Sequence, residues 1–162
     1  MAFDAFLKIK GVDGEATAKG YEKSIELYSF SWGASNPTTI GHGTGGGAGK
    51  VSLSSFNVMK RTDVASAPLF TKCCTGEHLP EVLVVLRKAG GANPLEYLTY
   101  KFTEVYVDSI QWSGASGGDD TPSESLSLTF AKVEITYKQQ DDKGGAGKTI
   151  GANWDVRTVS KA

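Results

Sequence analysis

The sequence has no excess of charge of either sign and no long apolar run. It carries 17 basic and 18 acidic residues among 162, a formal net charge of −1. This balance argues against a nucleic-acid-binding protein, which needs clustered positive charge, and against a polybasic membrane anchor. The longest apolar run, residues 82–86, is too short to span a bilayer. The first residues lack the cationic and apolar regions of a secretory signal, so we expect folding in the cytoplasm.

Cysteine and histidine are also scarce. There are two cysteines, the neighbours Cys73 and Cys74, and two histidines, His42 and His78. A disulfide between adjacent residues closes a strained ring, so we expect both thiols to be reduced and buried as small apolar groups. Zinc sites need four ligands at recognisable spacing, and no second cluster accompanies these residues. We therefore expect no metal and no cofactor.

Two glycine-rich segments, 44–51 and 142–149, partly match the sequence of a phosphate-binding loop. That loop needs Gly, four residues, then Gly-Lys-Ser/Thr, with a helix after it. Thr44 and Asp142 occupy the first glycine position in the two segments, and Val51 replaces the hydroxyl residue in the first. Residues 51–54 favour a strand over a helix. We expect neither segment to bind a nucleotide.

The segment 114–118 matches the Gly-x-Ser-x-Gly nucleophile elbow around Ser116. That elbow requires a following helix and a later histidine, whereas both histidines precede Ser116 and a strand is expected next. The carboxylate pairs 119–120 and 141–142 lie in polar segments, and we expect them only to keep those segments hydrated. No catalytic residue is predicted, and the sequence does not indicate an enzyme.

The dominant pattern is period-two alternation with β-branched and aromatic residues, which is typical of strands. One-residue phase slips within several strands indicate bulges or sharp bends. The pattern predicts a mainly β fold with a curled sheet, either a small barrel or a tight sandwich, and one short α-helix, in a single domain spanning 1–162; the family resemblance given below implies a small bent β-barrel of two sheets. About eight strands are expected, including 6–10, 23–32, 51–58, 81–88, 95–112, 125–138 and 153–158.

The single predicted helix has Ser66 as its N-cap and Pro68 in its first turn, and it ends at Gly76. Its apolar side chains are expected to form one stripe against the sheet: Leu69, Phe70, Cys73 and Cys74. Flexible segments are predicted at about 36–50 and about 139–148. An alternative to the interpretation below is a monomeric barrel or sandwich that binds glycans through Trp32, Trp112 and Trp154.

One set of segments, in this order and spacing, resembles a known family. The segments are Ser31-Trp32-Gly33, Gly45-Gly46-Gly47-Ala48-Gly49-Lys50-Val51, Lys60 with Asp63 before Pro68-Leu69, Cys73, Gly76 and His78, Leu86-Arg87-Lys88-Ala89-Gly90-Gly91, Glu96-Tyr97-Leu98, and Val133 to Tyr137. They closely resemble the haemolysin-coregulated protein (Hcp) family, the tube subunit of the bacterial type VI secretion system. The resemblance covers nearly the whole chain.

This resemblance implies a small barrel of two sheets with one helix that forms hexameric rings. The rings would stack into a hollow tube, related to phage tail tubes, whose partners are a spike protein, a contractile sheath and a baseplate. The tube would be fired out of the cell or into a target cell, and small effectors would travel in its lumen. Such export needs no cleaved signal peptide.

The resemblance also suggests which residues act. The family's long protruding loop corresponds to 36–50, and its glycines permit positive φ and close backbone approach. We expect ring-on-ring stacking to use Gly41, His42, Gly43, Thr44, Gly45, Gly46, Gly47, Ala48, Gly49 and Lys50. Ser31 lies in a strand that the family places toward the pore, and it is the candidate for lumen and effector contact.

Overall fold

The fold is built around one long, curled antiparallel sheet. A computed structural model of the chain describes residues 3–39, 47–88 and 94–162. The elements in chain order are β1 Phe3–Ile9, β2 Ile25–Leu27, β3 Ser29–Ser31, β4 Ala34–Ser35, β5 Thr38–Thr39, β6 Gly47–Ala48, β7 Ser52–Leu53, β8 Phe56–Arg61, α1 Ser66–Thr75, β9 Leu79–Lys88, β10 Glu96–Ser113, β11 Ser123–Gln140 and β12 Ala146–Asp155. The eight-stranded main sheet and the helix confirm the predicted fold class.

The sheet closes on itself through β2 and β3. The neighbours in the sheet run β2-β1-β9-β10-β11-β8-β3, with β12 added along β11. Because β2 pairs with β1 while β3 pairs with β8, the chain from 25 to 31 joins the two ends of the sheet. Tyr28, between the two strands, donates its amide N–H to the Met59 carbonyl at 2.8 Å. The predicted phase slip in this stretch is therefore where the barrel closes.

A bend in β10 and β11 divides the sheet into two parts. On β10 the buried side chains change phase between Phe102 and Val105, and Glu104 between them has φ of 51°. On β11 they change phase between Phe130 and Val133. Phe102 pairs with Val133, and Val105 with Phe130, so the two slips face each other. The part of β11 before the bend pairs with β8, and the part after the bend pairs with β12.

The inward side chains fill the barrel with one continuous apolar core. Phe56 and Phe102 lie at its centre, with ring centroids 4.9 Å apart, and both are almost fully buried. Other buried members come from β1, β2, β8, β9, β11 and the helix: Leu7, Ile25, Val58, Leu69, Leu79, Val82, Val84, Leu126 and Leu128. Burial of this apolar surface is the main term that stabilises the fold.

The helix ends where predicted, but its start and its buried stripe differ from the prediction. Gly76 ends it with φ of 70°, the left-handed conformation that glycine adopts without strain. Ser66 is not the N-cap. Ala65 holds that position, and the Ser66 hydroxyl donates a hydrogen bond to the buried Glu124 carboxylate. Leu69 is fully buried, whereas Phe70 is 49% exposed. The stripe is therefore narrower than predicted.

The C-terminal strand begins earlier than predicted. Residues 139–148 belong to the end of β11, a tight turn and the start of β12. Asp141 closes the turn by accepting hydrogen bonds from the amides of Lys143 and Gly145. Strand β12 ends at Asp155, so the predicted strand 153–158 was wrong over its last three residues. The flexibility predicted for 139–148 stays a prediction.

The segment 11–24 covers the outer surface of β1 and β9. Tyr21 stacks on Phe6 with ring centroids 4.5 Å apart, and the Arg87 guanidinium lies 4.8 Å from the Tyr21 ring. Burial of the Tyr21 phenol and its hydrogen bond to Glu96 raise its pKa well above the usual range.

No helix within the described ranges has both the length and the hydropathy to cross a membrane.

Candidate assembly surfaces

An arm of two short ladders extends from the barrel between β3 and β8. We call residues 34–39 and 47–53 the arm. Strand β4 pairs with β7, and farther out β5 pairs with β6. Ser54 anchors the base, since its hydroxyl accepts the Gly33 N–H at 2.8 Å and its N–H is donated to the Gly33 carbonyl at 2.9 Å. The prediction that a strand follows the first phosphate-loop imitation is confirmed by β7.

Backbone contact within the arm requires glycine at position 49. The Gly49 N–H donates to the Pro37 carbonyl at 3.0 Å. A Cβ on Gly49 would lie 2.3 Å from that carbonyl oxygen, closer than any Cβ contact in a relaxed structure. Of the predicted stacking residues, Gly47 to Lys50 fall within the described residues, and Gly41 to Gly46 lie outside them.

One outer face of the barrel is lined by small uncharged polar side chains. Alternation places Ser31 opposite Asn57, and Asn57 opposite Ser127 on β11. In the next row Ser29 and Ser125 flank Met59. We call Ser29, Ser31, Asn57, Ser125 and Ser127 the serine face. Ser31 is exposed, and it lines a recess of about 230 Å³ together with Ser29, Phe30 and other members of this surface.

A charged cluster lies inside the opposite face of the same strands. Lys60 on β8 and Glu124 on β11 are both fully buried and form an ion pair at 3.1 Å. The Lys60 ammonium also donates to Asp63 at 2.9 Å and to the Arg61 carbonyl at 3.1 Å. Ser66, at the start of α1, donates its hydroxyl to Glu124 Oε2. This buried cluster fastens the helix to the barrel.

The sequence contains a signal for this cluster in the alternation of β8 and β11. Lys60 lies in phase with the buried Phe56 and Val58 on β8, and Glu124 lies in phase with Leu126 on β11. A charged residue in a core phase is costly unless an opposite charge meets it. An ion pair between Lys60 and Glu124 could therefore have been predicted from alternation alone.

The residues that resemble catalytic motifs do not form a preorganised catalytic site within the described part of the chain. Ser116 is exposed in the turn between β10 and β11, and strand β11 follows in place of a helix. The second phosphate-loop imitation forms the turn before β12 and the start of that strand. His78 is exposed beside Tyr106, and His42 lies outside the described residues. Within the described chain, no group of three or more potential metal ligands gathers.

The cysteines and tryptophans differ in part from expectation. Both thiols are free, Cys73 half-buried and Cys74 exposed, so the prediction that both are buried was wrong for Cys74. Trp32 and Trp154 pack against the core at one end of the barrel. Trp112 is 43% exposed, near the turn that joins β10 to β11. The three rings therefore do not share one surface.

Comparison with known proteins identifies the family. Residues 6–137 match the family described as type VI secretion system effector, Hcp. The chain is 37% identical over 158 residues to the protein Hcp1 of Pseudomonas aeruginosa, covering 97% of each sequence. A solved structure of a type six secretion system protein superposes with a TM-score of 0.93 at 37% identity, over 99% of this chain and 100% of the other. Hcp1 of Salmonella typhimurium gives 0.80 at 34% identity over the full length of both chains. This chain belongs to the Hcp family of type VI secretion proteins.

Proposed function

We propose that this protein is the structural subunit of the type VI inner tube and performs no catalysis. Six copies form a ring, rings stack into a hollow tube, and the tube leaves the cytoplasm without a cleaved signal peptide. Its partners are the spike, sheath and baseplate, and small effectors occupy the lumen. The observation that carries this proposal is family membership over nearly the whole chain, at a TM-score of 0.93.

The arm is the element suited to ring stacking. It leaves the barrel as two successive ladders, so it does not contribute a long strand to the core. A projecting element can reach a neighbouring ring, whereas closure within a ring is a side-to-side contact that rigid barrel surfaces can make. Glycines in the arm lose much conformational entropy on docking, so each contact is weak and becomes adequate when repeated around a ring.

Native mass tests this proposal directly. We expect a species of about 103 kDa, six times the 17.2 kDa chain, and tubes under assembling conditions. Replacing Gly45-Gly46-Gly47 with Asp or Pro residues should keep that species but abolish tubes and secretion. A wild-type monomer would refute the tube and favour the glycan-binding alternative. Normal secretion of the variant, or its running as a monomer, would refute the stacking role of the arm.

The serine face is the surface suited to the lumen. Its side chains are small, polar and uncharged, so they leave a channel wide and wet, and Ser31 is exposed at the edge strand β3. Ser31→Gln or Ser31→Glu should leave rings of about 103 kDa but reduce the amount of co-expressed effector that copurifies. Ser116→Glu, on an exposed turn, is the matched control and should retain effector. Equal retention by all variants would rule out Ser31.

A further inference from the structure

A pocket lined by charged side chains lies beside the start of α1, where three parts of the chain meet. We call it the polar pocket. Its volume is about 430 Å³, within the range of about 300–1,000 Å³ that is typical of small-molecule sites. Its charged and aromatic lining side chains come from the segment 11–24, from β2 and the residue after it, and from the end of β8 and the loop that follows: Glu15, Glu26, Tyr28, Arg61 and Asp63. Because both signs of charge line the pocket, it suits a ligand that is itself charged.

Arg61 is the one cation of the polar pocket, and its donors are free for a ligand. Its guanidinium carbon lies 5.3 Å from the centre of the Tyr28 ring, on which the planar group rests. Among the residues that the structure describes, neither Arg61 nor Glu26 forms an ion pair, although both line this pocket. A guanidinium can bind a carboxylate through two parallel N–H donors. Contact with the Tyr28 ring restricts the side chain, so less entropy is lost when a carboxylate binds.

The acidic side chains of the polar pocket outnumber its cation. Asp63 is already compensated from inside, because the ammonium group of the buried cluster lies 2.9 Å from its carboxylate. Glu15 accepts the Val64 N–H at 2.9 Å, which fixes the carboxylate in position but does not remove its charge. Two carboxylates, those of Glu15 and Glu26, therefore face the single guanidinium of Arg61. A ligand that satisfies all three groups needs one carboxylate and two cationic groups.

We propose that the polar pocket binds a free basic amino acid. The α-carboxylate of the ligand binds Arg61, and its α-ammonium and side-chain cation bind Glu15 and Glu26. Free lysine and free arginine carry these three charged groups, and their net positive charge cancels the net negative charge of the three side chains. A basic residue inside a peptide has lost both backbone charges, so it meets only one of the three.

Selectivity at the polar pocket comes from making the three contacts together. An ion pair that is exposed to water contributes little alone. A ligand that lacks one of the three charges leaves one side chain of the pocket unpaired, and this discriminates against it. The inference goes beyond the proposed function, because it concerns a small-molecule ligand and uses no contact between copies of the chain.

Isothermal titration calorimetry with lysine and two of its analogues tests the site, at low ionic strength so that salt does not screen the contacts. Lysine should bind saturably to one site per chain. Cadaverine lacks the carboxylate and ε-aminocaproate lacks the α-ammonium group, so each should bind about tenfold more weakly than lysine, or worse. No saturable binding of lysine, or cadaverine that binds as tightly as lysine, would overturn the proposal. Equal binding of ε-aminocaproate would also overturn it, because it indicates a site for a lysine at the end of a peptide.

Exposed-site variants assign the contacts to side chains with little risk to folding. In Arg61→Gln, lysine and cadaverine should bind equally, because the ligand carboxylate has lost its partner. Lys143→Gln, which makes the same change of charge in the turn before β12, should bind lysine like the wild type. Glu26→Gln should weaken lysine binding about tenfold, whereas Glu134→Gln on β11 should not.

An Arg61→Gln protein that still prefers lysine to cadaverine would refute the assigned contact. Native mass of the same samples separates this inference from the tube proposal. A wild-type monomer that binds lysine saturably would refute the tube and support the site, and a ring that does not bind lysine would do the reverse.

Discussion

Replacing Lys60 with methionine should lower the free energy of unfolding by about 3–5 kcal/mol. Lys60 and Glu124 are both fully buried, and the ammonium group contacts Glu124 at 3.1 Å and Asp63 at 2.9 Å. Methionine replaces the lysine side chain as far as Cε but leaves the Glu124 carboxylate without its cation in the protein interior. The loss therefore reflects an uncompensated buried charge more than a lost attraction.

Urea unfolding followed by tryptophan fluorescence, at one fixed protein concentration, measures this loss. Arg61→Met is the matched control, because Arg61 is the next residue on β8, points outward and is exposed. It should change stability little. Lys60→Met combined with Glu124→Leu removes both charges and should recover part of the loss. A Lys60→Met protein as stable as Arg61→Met would show that the cluster does not stabilise the fold.

Under the proposed stacking role of the arm, replacing Gly49 with alanine should abolish tubes while rings persist. The new Cβ would lie 2.3 Å from the Pro37 carbonyl oxygen and 3.0 Å from Pro37 Cγ, so the two sides of the arm must separate. Their separation breaks the hydrogen bond from the Gly49 N–H to Pro37 and disturbs the β5–β6 ladder beyond it. Leu53, at the base of the arm, packs against the barrel core and lies outside the β5–β6 ladder, so the core should be little affected.

Electron microscopy for tubes and size exclusion for rings separate these two effects. Gly114→Ala is the matched control, since its Cβ would meet only Pro122 at an ordinary 3.5 Å. That variant should form tubes like the wild type. Tubes of normal length from Gly49→Ala would mean that stacking does not need the arm in its observed geometry.

Alternation was sufficient to predict a curled β fold, a barrel or a sandwich, because most of the long strands have one buried face; the family resemblance selected the barrel. The phase slips near Tyr28 and between Phe130 and Val133 also followed from sequence, since a strand that changes its buried side must bend or bulge. The identity of each strand's neighbour did not follow. Pairing of β11 with both β8 and β12 depends on contacts distant in sequence.

The errors have local causes. Ser66 has the sequence features of an N-cap, but its hydroxyl makes a tertiary bond to Glu124 that no local rule contains. The start of β12 was missed because residues 146–152 are small and exposed, so their alternation carries no apolar signal. Cys74 is apolar in type, but the helix buries only the narrow side that includes Leu69.

The paired strands β10 and β11 also decide how the domain bears force. Each is 18 residues long, and they stay in register from Leu98 with Tyr137 to Ser113 with Ser123, interrupted by one bulge. A pull along these strands loads many hydrogen bonds at once, because the bonds run across the direction of pull. Lifting β12 from its edge would instead break its bonds one after another. The subunit is therefore stiffest along β10 and β11 and yields first at β12.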